Sequence, residues 1–257
     1  MSAAAPWVLL RGLTREARHW GRFPQQLGAL FPGAPVICLD LPGNGKQNHL
    51  ASPRSVEAMA DHCHAEIRRL GIAPPCRVLA MSLGAMVAVA WAQRHPGDLA
   101  AAVLINTSLR PFSPFHLRLR PNNYLRLLRL LLVSRSDREL EMAILEMTTR
   151  LQLDPAPTIE AWLRWRGENP VSRRNVLNQL LAAACYRAPR QRPPARLLLL
   201  AGAGDQLVDS RCSLQLVAQW DADIAVHPAA GHDLPLDDAS WVLAQIEAWL
   251  GPAGMQA

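Results

Sequence analysis

Residues Arg77–Ala92, RVLAMSLGAMVAVAWA, decide how the rest of the chain is read. Arg77–Met81 reads as a short buried strand, and Leu83–Arg94 reads as an apolar helix. Only Ser82 separates them. A strand that becomes a helix across one residue must turn sharply. Ala80 and Gly84, two residues before and two after the serine, keep that corner uncrowded.

Upstream, Trp7–Leu10 and Pro35–Leu39 are candidate strands, and Ala101–Ile105 is another downstream. Helical patterns at Gly21–Leu30, Ser55–Leu70 and Leu83–Arg94 lie between them. Short apolar runs alternating with helices of this length predict βαβ units and a parallel sheet buried on both faces. The alternation stops near Arg110. From Asn122 to Tyr186 every pattern is helical, with Ser136 and Ser172 as candidate N-caps. It resumes after the proline-rich stretch APRQRPPA with strand Arg196–Ala201, helix Ser210–Trp220, strand Asp223–Val226 and helix Ala239–Leu250. The expected fold class is α/β, a mostly parallel sheet flanked by helices. Residues 1–109 and 193–257 form the core, and 110–192 form a helical cap insertion.

Half of the 257 residues are hydrophobic, which excludes disorder and leaves ample material for a core. The longest run without a charged or amide side chain, Val78–Ala92, is short for a bilayer span. The segment NYLRLLRLLLV would suit a membrane surface, but a cap helix explains the same pattern. No basic residue precedes the first apolar stretch, so a secretory leader is not expected. Cys38, Cys63, Cys76, Cys185 and Cys212 are scattered without a CxxC pair, and read as buried thiols in a reducing compartment. A cytoplasmic location without stable membrane insertion follows as the expectation. The net charge is +6, yet residues 110–192 carry 15 arginines against seven acids. Phosphate neutralisation makes nucleic acid one partner for such a stretch. No nucleic-acid motif accompanies the arginines, so solvated helix faces are the plainer reading.

The strand–Ser82–helix pattern resembles the nucleophile elbow of the α/β-hydrolase family, usually G-x-S-x-G, with Ala80 in place of the first glycine. In that family the acid and then a histidine follow the nucleophile. Here G-A-G-D places Asp205 beyond one strand, and A-G-H places His232 before the last helix. Asp209 competes for the acid role but is better placed to cap the helix after it, and Asp233 beside His232 is discounted. The family usually has His-Gly after its first strand; this chain has Arg11–Gly12, which makes Leu13 and Leu83 the implied backbone donors of an oxyanion hole. DLPGNG, Asp40–Gly45, resembles the family's D-x-P-G-H-G turn, with Asn44 replacing histidine. The chain opens almost on its first parallel strand, so the two antiparallel strands that often precede it are not expected.

The resemblance implies hydrolysis of a carboxylic ester or thioester through an acyl-serine, with Ser82, Asp205 and His232 as the catalytic residues and with no metal or organic cofactor. The overall layout is similar to the small capped carboxylesterase group that includes the enzyme cleaving the methyl ester of pimeloyl carrier protein. An arginine-rich cap would suit an acidic acyl carrier protein or a CoA ester. Two alternatives are a proton-abstracting lyase similar to the enzyme of menaquinone synthesis, and a binding protein that kept the fold without chemistry. His62 and His64 do not share a helix face, which argues against a metal pair. His19, His49, His95, His116 and His227 read as surface or loop residues, Trp91 and Trp249 as core packing. His116, Trp162 and Trp165 are candidates for lining a substrate pocket.

Overall fold

The computed structural model describes residues 4–132 and 136–254. Six strands, β1 (Trp7–Leu10), β2 (Val36–Leu39), β3 (Cys76–Met81), β4 (Leu99–Ile105), β5 (Arg196–Gly202) and β6 (Asp223–His227), form one sheet in the order β2-β1-β3-β4-β5-β6. Every described pairing between them is parallel. The order reverses at β1: the chain first builds outward to β2, then crosses to β3 on the other side. At such a switch point the strand ends splay their following loops apart and leave a crevice.

Strand alternation sends side chains to two faces. Val8, Leu10, Val78 and Ala80 pack under α2 (Val56–Arg69) and α3 (Leu83–Arg94). Trp7, Leu9, Leu79 and Met81 pack with α1 (Phe23–Leu30) and the last helix. Both sets are essentially dry. A fully buried Leu or Val contributes about 1.5–3 kcal/mol relative to exposure, so the central strands are the most firmly held part of the chain. Ser55 starts α2 as expected, its hydroxyl accepting the Ala58 N–H at 3.1 Å.

Between β4 and β5 the described residues form five helices and no strand of the sheet. These are α4 (Phe115–Arg118), α5 (Tyr124–Leu132), α6 (Asp137–Thr148), α7 (Ala156–Glu168) and α8 (Arg173–Cys185). A single bridge, Arg110 to Arg187, ties the start of the excursion to its end. The helix read over NNYLRLLRLLLVS begins at Tyr124 after a 3₁₀ turn; its last two residues lie outside the described ones. Ser172 caps α8 by accepting the Asn175 N–H at 3.2 Å. After β5 come α9 (Arg211–Trp220), then β6, α10 (Leu234–Asp237) and α11 (Ala239–Gly254). Asp209 accepts the Arg211 N–H at 3.0 Å, the capping role its position implied. No helix among the described residues is long and apolar enough to cross a membrane.

Two sequence expectations need correction here. Cys185 is exposed, at the end of α8 where only one helix face is covered, and Cys38 is only half-buried, so neither is one of the buried thiols. His19 and His227 are buried, not surface residues. His227 faces inward because the loop after β6 needs an acceptor: its Nδ1 takes the N–H groups of Ala229 and Ala230 at 3.1 and 2.8 Å.

Candidate active site

Ser82 sits between β3 and α3 with φ 53° and ψ −116°, a region that a non-glycine residue enters only under constraint. The constraint comes from both sides. Its N–H donates to the Ile105 carbonyl at 3.0 Å, and its carbonyl accepts from Ala85 and Met86 in the first turn of α3. Gly84 lets α3 close on β1: a Cβ there would lie 2.6 Å from the carbonyl oxygens of Leu10 and Arg11.

Asp205 follows β5, where Gly202 permits contact with the loop after β6; a Cβ on Gly202 would meet the Ala230 carbonyl at 2.3 Å. The Asp205 carboxylate is 1% exposed. Its Oδ1 accepts the N–H groups of Leu207 and Val208 at 2.7 and 2.9 Å, and its Oδ2 lies 2.7 Å from Nδ1 of His232. An ionised carboxylate only accepts, so in this contact Nδ1 is the donor and Nε2 is the ring nitrogen not engaged by Asp205. Ser82 and His232 then share the wall of one cavity of about 470 Å³. Among the described hydrogen bonds none joins Ser82 to His232.

The cavity also reaches Leu13, in the loop after β1, and Met81. The Leu83 side chain turns away into the core, but as the first residue of α3 its N–H has no partner within the helix. The far wall comes from the helical excursion: Leu127 and Leu130 of α5, Ile144 and Met147 of α6, Val176 and Leu180 of α8. Trp162, Trp165 and His116 are not among the lining residues, contrary to the expectation that they were candidates. Trp162 is buried beneath the Arg15 guanidinium, 4.0 Å from its ring centre, and both tryptophans pack on His19.

A match to the alpha/beta hydrolase family covers residues 7–245. The chain belongs to that family. A pimeloyl-[acyl-carrier protein] methyl ester esterase of Chromobacterium violaceum is 34% identical over 104 residues, which is 40% of this chain and 37% of that protein. This hydrolase-family chain superposes on a membrane phospholipase A with a TM-score of 0.78 at 20% identity, covering 100% of this chain and 81% of the other. It superposes on a thermophilic esterase from Thermogutta terrifontis with a TM-score of 0.72 at 20% identity, covering 96% and 90%. At that identity the two likenesses concern the fold.

Several residues of this alpha/beta hydrolase that sequence reasoning missed hold the cavity wall in place. Asn106, at the end of β4 with φ 45°, uses its whole amide: Oδ1 accepts the Gly202 N–H at 2.9 Å, while Nδ2 donates to the carbonyls of Gly231 and His232 at 3.0 and 2.7 Å. Asp237 accepts the Gly231 N–H at 2.7 Å and the N–H groups of Arg150 and Leu151, tying the histidine loop to the segment after α6. Burial pushes the Asp237 carboxyl up, and those backbone donors pull it back. Gln179 of α8 accepts the Thr14 N–H at 2.8 Å and donates to Asn44 Oδ1 at 2.7 Å. Asn44 in turn donates to the Arg15 carbonyl at 3.0 Å. Asp233, discounted in sequence, forms a buried ion pair with Arg11, both about 2% exposed. Its position next to His232 gave no hint of a partner 222 residues away.

Proposed function

We propose that this protein is a serine hydrolase cleaving a carboxylic ester or thioester through an acyl-serine intermediate. In this reading His232 Nε2 removes the Ser82 proton as Oγ attacks the carbonyl carbon, then returns it to the leaving alcohol or thiol. Asp205 fixes the imidazole tautomer and stabilises its cationic form. The N–H groups of Leu13 and Leu83 receive the oxyanion. Water, activated by the same imidazole, then releases the acid and regenerates the serine. The observation that carries this reading is the 2.7 Å Asp205–His232 contact on a cavity wall shared with Ser82 at its strained turn.

Residues 110–192 act in this proposal as a cap over residues 1–109 and 193–257. The cap's leucine, isoleucine and valine lining favours an apolar acyl chain. The cap has an excess of arginine in sequence, although Arg126, Arg138 and Arg166 are paired with Glu146, Glu160 and Asp137. The remaining excess, together with the partial relative named above, favours an acyl group delivered on an acidic carrier protein or CoA. The decisive experiment is fluorophosphonate labelling with peptide mapping, followed by a screen of ester chain lengths on unmodified protein. Labelling at Ser82 and turnover of acyl esters are expected; an unlabelled Ser82 in folded protein overturns the reading. Carrier-bound turnover that ignores ionic strength and charge reversal at Arg129 would remove the carrier proposal alone.

A further inference from the structure

The Arg11–Asp233 pair has no part in the chemistry proposed above, yet it joins the two loops that this chemistry needs in register. Arg11 Nη1 and Nη2 donate to Asp233 Oδ1 and Oδ2 at 3.1 and 2.5 Å. Desolvating two charges is costly, so such a pair is poor evidence of stabilisation by itself. What it supplies is geometry, because a planar guanidinium meeting a carboxylate through two parallel bonds fixes orientation as well as distance.

Each partner is anchored to machinery. The Arg11 carbonyl is packed against Gly84, so the main chain of Arg11 is held against the turn that carries Ser82. Leu13, the proposed oxyanion donor, follows two residues later. The Trp20 ring lies 4.8 Å from the guanidinium carbon and limits its swing. Asp233 follows His232 directly, and its N–H donates to the Thr148 carbonyl at 2.7 Å.

From this we infer that Arg11 and Asp233 are positioning residues, whose ion pair holds the Leu13 N–H and the His232 imidazole at a fixed separation around one reacting carbonyl. The inference rests on the serine-hydrolase reading and deepens it. Both residues also line the cavity that Ser82 and His232 share, and in this reading the pair acts through the loops on either side rather than on a reacting atom.

The test replaces both charges at once, because removing one alone strands the other in the interior. R11M/D233L keeps the volume and leaves Ser82, Asp205 and His232 in place. For a p-nitrophenyl ester, kcat is expected to fall about thirtyfold with KM within about threefold, since misplacement by an ångström costs up to about a hundredfold. The saturating rate of fluorophosphonate labelling should fall in parallel. R11K supplies a second arm, since an ammonium lacks the rigid planar pair of N–H donors that fixes a carboxylate's orientation; about fivefold lower kcat at unchanged KM is expected. Wild-type kcat in folded R11M/D233L or, should that variant not fold, in R11K overturns the inference. Unlabelled Ser82 in the wild-type protein overturns the hydrolase reading and this inference with it. Normal wild-type labelling with an equally fast R11M/D233L overturns the inference alone.

Discussion

The turn at residues 80–84 and the loop at residues 11–16 meet across one cavity, but they are built in opposite ways. The turn is made chiefly by its own neighbours, strand residues below it and helix residues above it, with Ile105 and the backbone of Leu10 and Arg11 packed against it. The loop is held by distant partners, Asp233 on Arg11, Gln179 on Thr14, Asn44 on the Arg15 carbonyl and Glu141 on the Arg15 side chain. Under the proposed mechanism, a site assembled from one locally determined element and one determined by distant contacts would separate chemistry from alignment. Damage to the first should abolish turnover; damage to the second should weaken it while binding survives.

The largest effect should come from S82A. Under the proposed mechanism it removes the nucleophile, and ester turnover should fall by at least about 10⁴-fold with the fold intact by circular dichroism. G84A attacks the same turn through its packing. A methyl group 2.6 Å from two backbone carbonyls cannot be accommodated by a side-chain rotation, so urea unfolding should show a loss of about 2–3 kcal/mol. Q179L tests the loop side. It strands the Thr14 N–H and the Asn44 carbonyl oxygen, and should lower kcat about tenfold with little change in KM, alongside a stability loss of about 1–3 kcal/mol. If Q179L instead raised KM at constant kcat, the loop would be a binding element rather than an aligning one.

The smallest expected effect concerns His19, just beyond the loop. Burial, with Arg15, Arg11 and Arg18 nearby, holds its pKa well below the usual histidine value. Below about pH 6.5 the unfolded chain takes up a proton that the folded chain refuses, so stability falls as pH drops, by at most about 1.4 kcal/mol per pH unit. H19Q should flatten that slope in thermal melts between pH 7 and pH 5. An unchanged slope would show that His19 does not set the acid sensitivity of this face.

Most strand boundaries were legible within a residue or two, because a parallel strand buried on both faces is a continuous apolar run bounded by polar residues. β1 and α3 were read to the residue. The placement of Ser82, Asp205 and His232 beyond strand ends was legible for a related reason, since the hydrophobic pattern marks those ends. Asn106 lies at such an end too, but an asparagine after a strand resembles any turn residue, and its role depends on Gly202 and His232 arriving beside it. The inward turn of His19 and His227 was invisible for the same reason: a lone histidine acquires its environment only from what packs on it. Trp162 and Trp165 looked like pocket residues because they are aromatic and lie in the helical excursion. The structure instead uses them to cover Arg15 and His19.

Local order along the chain therefore determined the sheet, the interruption by helices and the placement of Ser82, Asp205 and His232 beyond strand ends. These depend on hydrophobic periodicity and turn stereochemistry, which act over a few residues. Which side chains would steady those three groups was decided only in three dimensions. Ion pairs and buried hydrogen bonds reward proximity regardless of chain separation, and nothing in residue 11 announces that residue 233 will lie against it.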